Sequence, residues 1–235
     1  MYLMDGRIRY SETDNCGKLT LLGLLNYFQD CSTFHSEDIG LGVDYLRQTH
    51  TVWVLSAWQI VVERYPAMGE KVRIGTCPYN FKGFTGSRNF VMLTEEGECL
   101  AKANSLWSLL DTGRGKPTLP TKEMLEGYIL EEPIEMDYAP RKITVPEGGE
   151  NRESIIVRKH HLDTNNHVNN GQYVEMAMEY LPERFAIRQM RAEYKRQAFL
   201  NDIISVYTVQ IENRYVVALN DEEGKPYVVV EFTGQ

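Results

Sequence analysis

The chain has 235 residues, of which 43% are hydrophobic and 25% are charged, and its formal net charge is −8. This length suits one large domain or two small ones, and the ordinary composition argues against disorder, collagen or coiled coil as a description of the whole chain. The acidic balance argues against a general nucleic-acid binder, which needs a cationic surface to displace counterions from phosphates.

The start of the chain and its cysteines bear on location. The longest uncharged stretch, between Arg47 and Glu63, is shorter than the roughly 20 apolar residues that cross a bilayer, and the first residues lack the apolar region of a signal peptide. The four cysteines all lie in the first 99 residues and form no C-x-x-C pair. We therefore predict a cytoplasmic protein with reduced thiols, without disulfides, metal or cofactor.

In chain order, the first half predicts one helix followed by strands. Apolar residues recur at helical spacing from Leu21 to Cys31, with Thr20 as a candidate N-cap. Runs rich in aromatic and β-branched residues follow, separated by turn-forming clusters, and predict strands over 51–62, 71–79, 86–94 and 99–110. The absence of a βαβ rhythm favours antiparallel pairing.

The middle of the chain differs from both flanks. Residues 121–153 carry nine acidic against four basic side chains and several prolines, which is typical of a connection that wraps between two halves and is at most partly ordered. A second helix is predicted from Tyr173 to Leu181, with Asn169 or Asn170 as its cap and Pro182 as its stop. Strands are predicted again over 202–211, 213–220 and 225–232.

The two halves resemble each other. Arg9 precedes Asp14 by the same spacing at which Arg158 precedes Asp163, and each pair stands before one of the two helices. Such an internal duplication predicts two copies of one unit, each a long helix wrapped by a curled antiparallel sheet. This is the hotdog architecture, so we predict an α+β double hotdog with units at 1–120 and 153–235, joined by a link over 121–152.

The densest group of reactive side chains lies just before the second helix, in the sequence HHLDTNNHVNN at 160–170. Asp163, Asn165 and His167 alternate, so an extended backbone would point them to one side. His167 is a candidate acid or base near neutral pH, Asp163 a candidate to orient it, and the N–H groups of the following helix are candidates to stabilise an oxyanion. The alternative is a turn whose side chains cap the helix and brace the loop.

The corresponding turn of the first half has an acid, Asp14, but no histidine. This asymmetry suggests that the second half carries the chemistry and the first half a binding cavity. His35, on the polar side of the first helix, is expected at a surface or an interface. The adjacent His160 and His161 lack the spacing of metal ligands, so no zinc site is predicted.

The motif Asp163-x-Asn165-x-His167-Val168-Asn169-Asn170-x-x-Tyr173 resembles the signature of the acyl-acyl carrier protein thioesterases, the plant enzymes and their bacterial relatives. The segment from Ala101 to Asp111 and the start of the first helix, Leu25–Asp30, are also similar to that family. The resemblance implies a double hotdog that hydrolyses the thioester between a fatty acyl chain and the phosphopantetheine of its carrier. It also implies that Asp163, Asn165 and His167 are active-site residues.

One departure from the family concerns a Glu-Cys pair that follows an E-Y-R-R stretch in the plant enzymes. Here the stretch is 193–196 and the pair is Gln197-Ala198, and the second half contains no cysteine. Gln197 can hydrogen-bond a water or a carbonyl oxygen but cannot accept its proton. Two mechanisms stay open: attack by a water that His167 activates, or an anhydride formed by Asp163.

Substrate contacts are predicted on both halves. The acyl chain needs an apolar cavity, for which the candidates are Leu24, Phe28, Trp53, Leu55 and Trp58, although each is also a plausible core residue. An acidic carrier needs a local basic surface, and the segment 184–196 carries five basic side chains against one acid. Arg188 and Arg191 are its candidate docking residues, with a solvated strand face as the alternative.

The sequence leaves rival functions open. An acyl-coenzyme A thioesterase of the same fold shares the chemistry, a non-catalytic acyl-binding module is compatible with Gln197, and a hotdog dehydratase is a weaker alternative. The expected partner is an acyl carrier protein, and monomer and homodimer both fit a chain that already contains two hotdogs.

Overall fold

The computed structural model describes residues 1–163 and 165–234, and it divides the chain into two compact units. Unit 1 comprises Met1–Ser56 and Val62–Tyr138, and unit 2 comprises Ala57–Val61 and Ala139–Gln235. The division therefore passes through one long strand and falls at residue 138, inside the predicted link. Among the described residues, no helix has both the length and the apolar character needed to cross a bilayer.

Unit 1 pairs its strands in the order β1-β3-β4-β5, all antiparallel, with a short strand β6 on β5. Its elements are β1 (Tyr2–Arg7), α1 (Leu21–Asp38), α2 (Val43–Gln48), β2 (Thr51–Val62, shared with unit 2), β3 (Lys71–Lys82), β4 (Thr85–Thr94), β5 (Cys99–Asp111), β6 (Lys116–Pro117) and α3 (Lys122–Gly127). The predicted strands of this half are confirmed to within a few residues at their ends.

Helix α1 packs on β1 and β3 and forms the core of unit 1. The side chain of Thr20 accepts a hydrogen bond from the N–H of Gly23 at 3.0 Å, which confirms the predicted cap. The predicted apolar stripe is confirmed as the buried face of the helix: Leu21, Leu24, Leu25, Phe28 and Cys31 are all at most 2% exposed. Burial of this stripe, rather than helix propensity, is what holds the helix on the sheet.

Unit 2 pairs its strands in the order β8-β11-β10-β9-β7, again antiparallel, and residues 57–61 of β2 add to the free side of β8. Its elements are β7 (Glu150–Ile156), α4 (Asn170–Met178), β8 (Ile187–Tyr194), β9 (Ile203–Ile211), β10 (Arg214–Asn220) and β11 (Pro226–Gly234). Helix α4 packs on β10 and β11.

The second helix begins and ends three residues earlier than the predicted span, at Asn170–Met178 instead of Tyr173–Leu181. It ends at Met178, and the N–H groups of Tyr180 and Leu181 donate to the carbonyls of Ala177 and Met178, three residues back. These bonds close tight turns instead of continuing the α-helix, and Pro182 cannot extend it. Both predicted helices are present, α1 with 18 residues and α4 with nine.

The segment predicted as a partly ordered link is fixed to its units. In unit 1 it forms α3, whose Met124 lies in a core cluster with Leu41 and Leu109. In unit 2 the side chain of Ile143 packs on the β10–β11 face, and its N–H donates to Glu193 Oε2 at 3.0 Å. Single apolar residues among the prolines and acids, Met124 and Ile143, make these contacts. The amino-acid composition of the segment does not show which of its residues are buried.

Candidate active site

The motif at 163–170 forms a tight loop between β7 and α4. Residues Leu162 and Val168 pair as an isolated antiparallel bridge, and the N–H of Asp163 donates to the carbonyl of His167 at 2.8 Å. The turn is closed at Asn166, whose φ of 61° is a left-handed conformation that asparagine tolerates better than most residues. Thr164 lies outside the described residues.

Asp163 braces this loop through one carboxylate oxygen. Its Oδ1 accepts the N–H of Asn165 at 2.8 Å and the N–H of His167 at 3.1 Å. The carboxylate therefore fixes the backbone on both sides of the turn, as the structural alternative in the sequence analysis predicted. His167 is half-buried, whereas the side chain of Asn165 is exposed.

The beginning of α4 is already occupied by its own cap. Asn169 Oδ1 accepts the N–H of Gly171 at 2.8 Å, and the carbonyl of Asn169 accepts the N–H groups of Gln172 and Tyr173. The N–H of Asn169 itself donates to the carbonyl of His161 at 2.9 Å. Four of the N–H groups expected to stabilise an oxyanion thus serve the fold, so this part of the expected oxyanion site is not supported.

The backbone after Gln197 is hydrogen-bonded to the loop. The carbonyl of Ala198 accepts the N–H of Val168 at 3.1 Å, and the N–H of Ala198 donates to Tyr173 Oη at 2.8 Å. Gln197, which directly precedes this buried alanine, is exposed. The structure therefore brings the segment of Gln197 beside the segment of His167, although more than twenty residues separate them in the chain.

Phe199 provides the aromatic neighbour of the histidine. Its ring lies edge-on to the imidazole of His167, with centroids 5.1 Å apart and planes at 71°. Phe199 is 52% exposed, so it is not part of the core. Nothing in the sequence pattern singled out this residue, because the contact joins two loops that are distant in the chain.

Unit 1 repeats the same loop without the histidine. Asp14 Oδ1 accepts the N–H groups of Cys16 and Lys18, each at 2.9 Å, and Thr13 pairs with Leu19 as an isolated bridge. The predicted duplication is thus reproduced bond for bond at the turn, and Lys18 stands where unit 2 has His167.

Comparison with known proteins agrees with this arrangement. A family model described as the acyl-ACP thioesterase N-terminal domain matches residues 1–128, and one described as the C-terminal domain matches residues 132–229. Together they span most of the chain. The chain belongs to the acyl-ACP thioesterase family.

Solved structures of the family confirm the double hotdog fold. An acyl-ACP thioesterase from Bacteroides thetaiotaomicron superposes with a TM-score of 0.90 at 23% identity, covering 99% of this chain and 97% of that one. A 12:0-ACP thioesterase from Umbellularia californica superposes with a TM-score of 0.88 at 20% identity, covering 100% of this chain and 96% of that one.

The curated relatives are longer proteins than this chain. A chloroplastic acyl-ACP hydrolase from Cuphea viscosissima is 27% identical over 79% of this chain and 48% of its own length. A chloroplastic oleoyl-acyl carrier protein thioesterase from Arabidopsis thaliana is 25% identical over 87% of this chain and 62% of its own length. The chain therefore spans about half to three-fifths of these relatives.

The apolar residues predicted to line an acyl cavity in this family member lie mostly in its core. Leu24, Phe28, Leu55 and Trp58 are at most 2% exposed, and half-buried Trp53 stacks on Phe81 with centroids 6.0 Å apart. Unit 1 also has an open groove of about 710 Å³, and none of the five predicted residues lines it. The groove is bordered by β1 and α1, with Met4, Arg7, Tyr27, Asp30 and Phe34 among its walls.

The two predicted docking arginines differ in their surroundings. Arg188 is exposed on β8. Arg191 is held by Glu231 Oε1 at 2.7 Å and by the carbonyls of Pro140 and Lys142. Glu231 is only 5% exposed and also pairs with Arg214 at 2.9 Å, so Arg191 belongs to a mostly buried charge cluster. Through Pro140 and Lys142, Arg191 also holds the segment that the sequence predicted as a link against β8.

His35, expected at a surface or an interface, lies between α1 and a strand of the sheet. It is half-buried, its Nδ1 lies 3.0 Å from the guanidinium of buried Arg88, and its ring stacks on Tyr2. Burial and the adjacent guanidinium lower the pKa of His35 to about 4. The helical pattern missed this contact because Arg88 reaches the helix from a strand.

Proposed function

We propose that this chain hydrolyses the thioester of a fatty acyl carrier protein, releasing the free fatty acid and the carrier with its phosphopantetheine thiol. The observation that carries the proposal is the loop of unit 2, where His167 stands on a backbone braced by Asp163. The family models support the reaction class, and the names of the curated relatives support the carrier-bound substrate.

The proposed reaction is attack by water. His167 accepts a proton from the water as its oxygen bonds to the thioester carbon, and it returns that proton to the sulfur when the carbon–sulfur bond breaks. Asn165 and Gln197, both exposed, are the proposed hydrogen-bond partners of the water or of the carbonyl oxygen. Asp163 holds the loop that presents His167, which leaves the histidine as the base.

The competing route is a covalent one through Asp163. In that route the carboxylate attacks the thioester carbon, the thiolate leaves, and water then cleaves the anhydride. The engagement of Asp163 Oδ1 by two backbone N–H groups favours the water route, since those bonds stabilise the carboxylate where it is. Single turnover in heavy-oxygen water separates the two, because label in Asp163 would sink direct attack.

The first experiment is thiol release with acyl carrier and acyl-coenzyme A substrates of the same chain length, measured in parallel. We expect faster turnover of the carrier-bound substrate and loss of at least about 100-fold in kcat for His167→Ala, the usual contribution of a general base. Substantial activity in His167→Ala would refute the site. Tight acyl binding without turnover by the unaltered protein would favour an acyl-binding module.

Docking of an acidic carrier is proposed on exposed basic side chains of unit 2. Arg188 remains a candidate because it is exposed, whereas Arg191 serves the charge cluster with Glu231. Arg158 and Lys159, both exposed, immediately precede the loop and are further candidates for docking. Charge reversal at these positions is expected to raise the KM for carrier-bound substrate and to spare a small thioester.

We also propose a place for the acyl chain, a role in fatty acid synthesis and a location. The acyl chain is proposed to lie in unit 1, with Leu24, Phe28, Trp53 and Leu55 as candidate contacts. The fifth residue that the sequence suggested, Trp58, belongs to unit 2. A role in fatty acid biosynthesis follows from the proposed product. A cytoplasmic location also stays a prediction, since the plant relatives are named chloroplastic.

A further inference from the structure

We propose that Phe199 is a positioning residue for His167, an assignment that rests on the proposed thioester hydrolysis. The two rings meet edge to face, with centroids 5.1 Å apart and planes at 71°. Aromatic pairs favour this arrangement over a face-to-face sandwich because the positive ring edge faces the negative ring face. The contact therefore restricts rotation of the imidazole on an otherwise polar loop.

Phe199 is itself presented by a fixed turn. Its N–H donates to Asp202 Oδ2 at 2.9 Å, and its carbonyl accepts the N–H of Asp202 at 3.1 Å. The same carboxylate accepts the hydroxyl of Tyr227 at 3.2 Å. The preceding Ala198 is buried and bonded through both backbone groups, so the base of the phenyl group has little freedom.

The duplicated fold supplies an internal comparison. In unit 1 the N–H of Ala67 donates to Glu70 Oε2 at 2.8 Å, the equivalent of the bond between Phe199 and Asp202. Ala67 pairs there with Lys18 as an isolated bridge. The turn thus forms with alanine at this position, and only unit 2 places an aromatic ring there, opposite the histidine.

Core packing does not account for the phenylalanine. At 52% exposure it leaves about half of its surface in water, so core burial contributes little to keeping a large aromatic side chain at this position. A role in positioning His167 explains why an aromatic residue occupies this place and why its side chain lies at the surface, where the imidazole is. By narrowing the orientations of the imidazole, it raises the fraction of molecules in which the accepting nitrogen faces the attacking water.

The test compares Phe199→Leu with Phe199→Tyr, using Met68→Ala as a control for loss of an exposed apolar side chain on the equivalent turn of unit 1. With a small acyl thioester we expect Phe199→Leu to lower kcat about 10- to 100-fold with KM changed by less than about twofold, since misplacement of a catalytic group acts on the chemical step. Phe199→Tyr keeps the ring and should retain kcat, and Met68→Ala should match the unaltered protein.

A second readout reports the contact without activity. The imidazole protons of His167, assigned by their loss in His167→Gln, should show a ring-current displacement that persists in Phe199→Tyr and disappears in Phe199→Leu. Unchanged kcat in Phe199→Leu would overturn the positioning role. A raised KM at constant kcat would overturn it too, by making Phe199 a substrate contact.

The two proposals fail in different ways. An unaltered protein that turns over no thioester would overturn the proposed function, whatever the proton spectrum shows. An active protein whose His167 protons show no ring-current displacement, or whose Phe199→Leu variant keeps its kcat, would overturn only the role of Phe199.

Discussion

Asp14 and Asp163 perform the same structural task at equivalent points of the two units. Each carboxylate Oδ1 accepts two backbone N–H groups of its own turn, at 2.9 Å and 2.9 Å for Asp14 and at 2.8 Å and 3.1 Å for Asp163. Because unit 1 has this brace without a histidine, the brace belongs to the scaffold. Unit 2 differs in carrying a histidine, His167, on the braced turn.

The paired aspartates allow scaffold and catalysis to be separated. Asp14→Ala and Asp163→Ala should each lower the free energy of unfolding by about 0.5–1.5 kcal/mol, the usual net contribution of a hydrogen bond, because water can reach the freed N–H groups of these turns. Only Asp163→Ala should also lower kcat, because only its loop presents His167. Urea unfolding and thioester turnover on the same preparations measure both effects. Equal loss of activity in the two variants would place the effect of Asp163 in stability alone.

Gln197 replaces the glutamate of the family's Glu-Cys pair and cannot take a proton. Since it is exposed, Gln197→Ala should leave stability unchanged and lower kcat by less than about tenfold, the size expected for one neutral hydrogen bond of about 1 kcal/mol. His167→Ala serves as the severe reference in the same assay. A loss as large as that of His167→Ala would make Gln197 an essential group and require a different mechanism.

The cluster of Arg191, Glu231 and Arg214 predicts a stability effect where the sequence suggested docking. Side-chain exposure is 13% for Arg191 and 6% for Glu231. Removing Arg191 leaves the carboxylate without its closest partner, so Arg191→Ala should lower the free energy of unfolding by about 3–5 kcal/mol. Arg214 is 39% exposed, and Arg214→Ala should cost about 1 kcal/mol or less.

Denaturant unfolding of the two arginine variants checks the difference. If Arg191→Ala unfolds like the unaltered protein and raises only the KM for carrier-bound substrate, Arg191 is a docking residue for the carrier and not a structural one.

His35 makes stability depend on pH. Its pKa in the folded protein is about 4, below the ordinary value near 6.5, because of burial and the charge of Arg88. The unfolded chain therefore takes up a proton, as pH falls from about 6.5 to 4, that the folded protein does not, and stability contributed by neutral His35 is lost over that window. The terminal amine of Met1 opposes protonation in the fold, whereas Glu131 and Asp38 favour it.

The measurement is the unfolding free energy at several pH values between 4 and 7. His35→Gln keeps an oxygen that can accept from Arg88 and has no titrating group, so its profile should be flatter than that of the unaltered protein. Parallel profiles would show that His35 does not titrate differently in the two states.

Much of the architecture follows from local sequence. The stripe from Leu21 to Cys31, the cap at Thr20 and the β-branched runs predict α1 and most strands because helix and strand periods are properties of neighbouring residues. The repeated spacing from arginine to aspartate predicts the duplication for the same reason. The motif from Asp163 to His167 marks the candidate site, since so many polar groups within a few residues need a specific loop to satisfy them.

Only the tertiary structure decided what those residues touch. The edge contact of Phe199 with His167, the bond between Val168 and Ala198, and the capture of Arg191 by Glu231 all join segments distant in the chain. His35 meets Arg88 across the interface of helix and sheet. Such contacts depend on strand register and on the position at which a helix packs on the sheet. The spacing of apolar residues along the sequence does not specify either. The sequence therefore determined which groups are available, and packing decided whether each serves the fold or stands beside the candidate base.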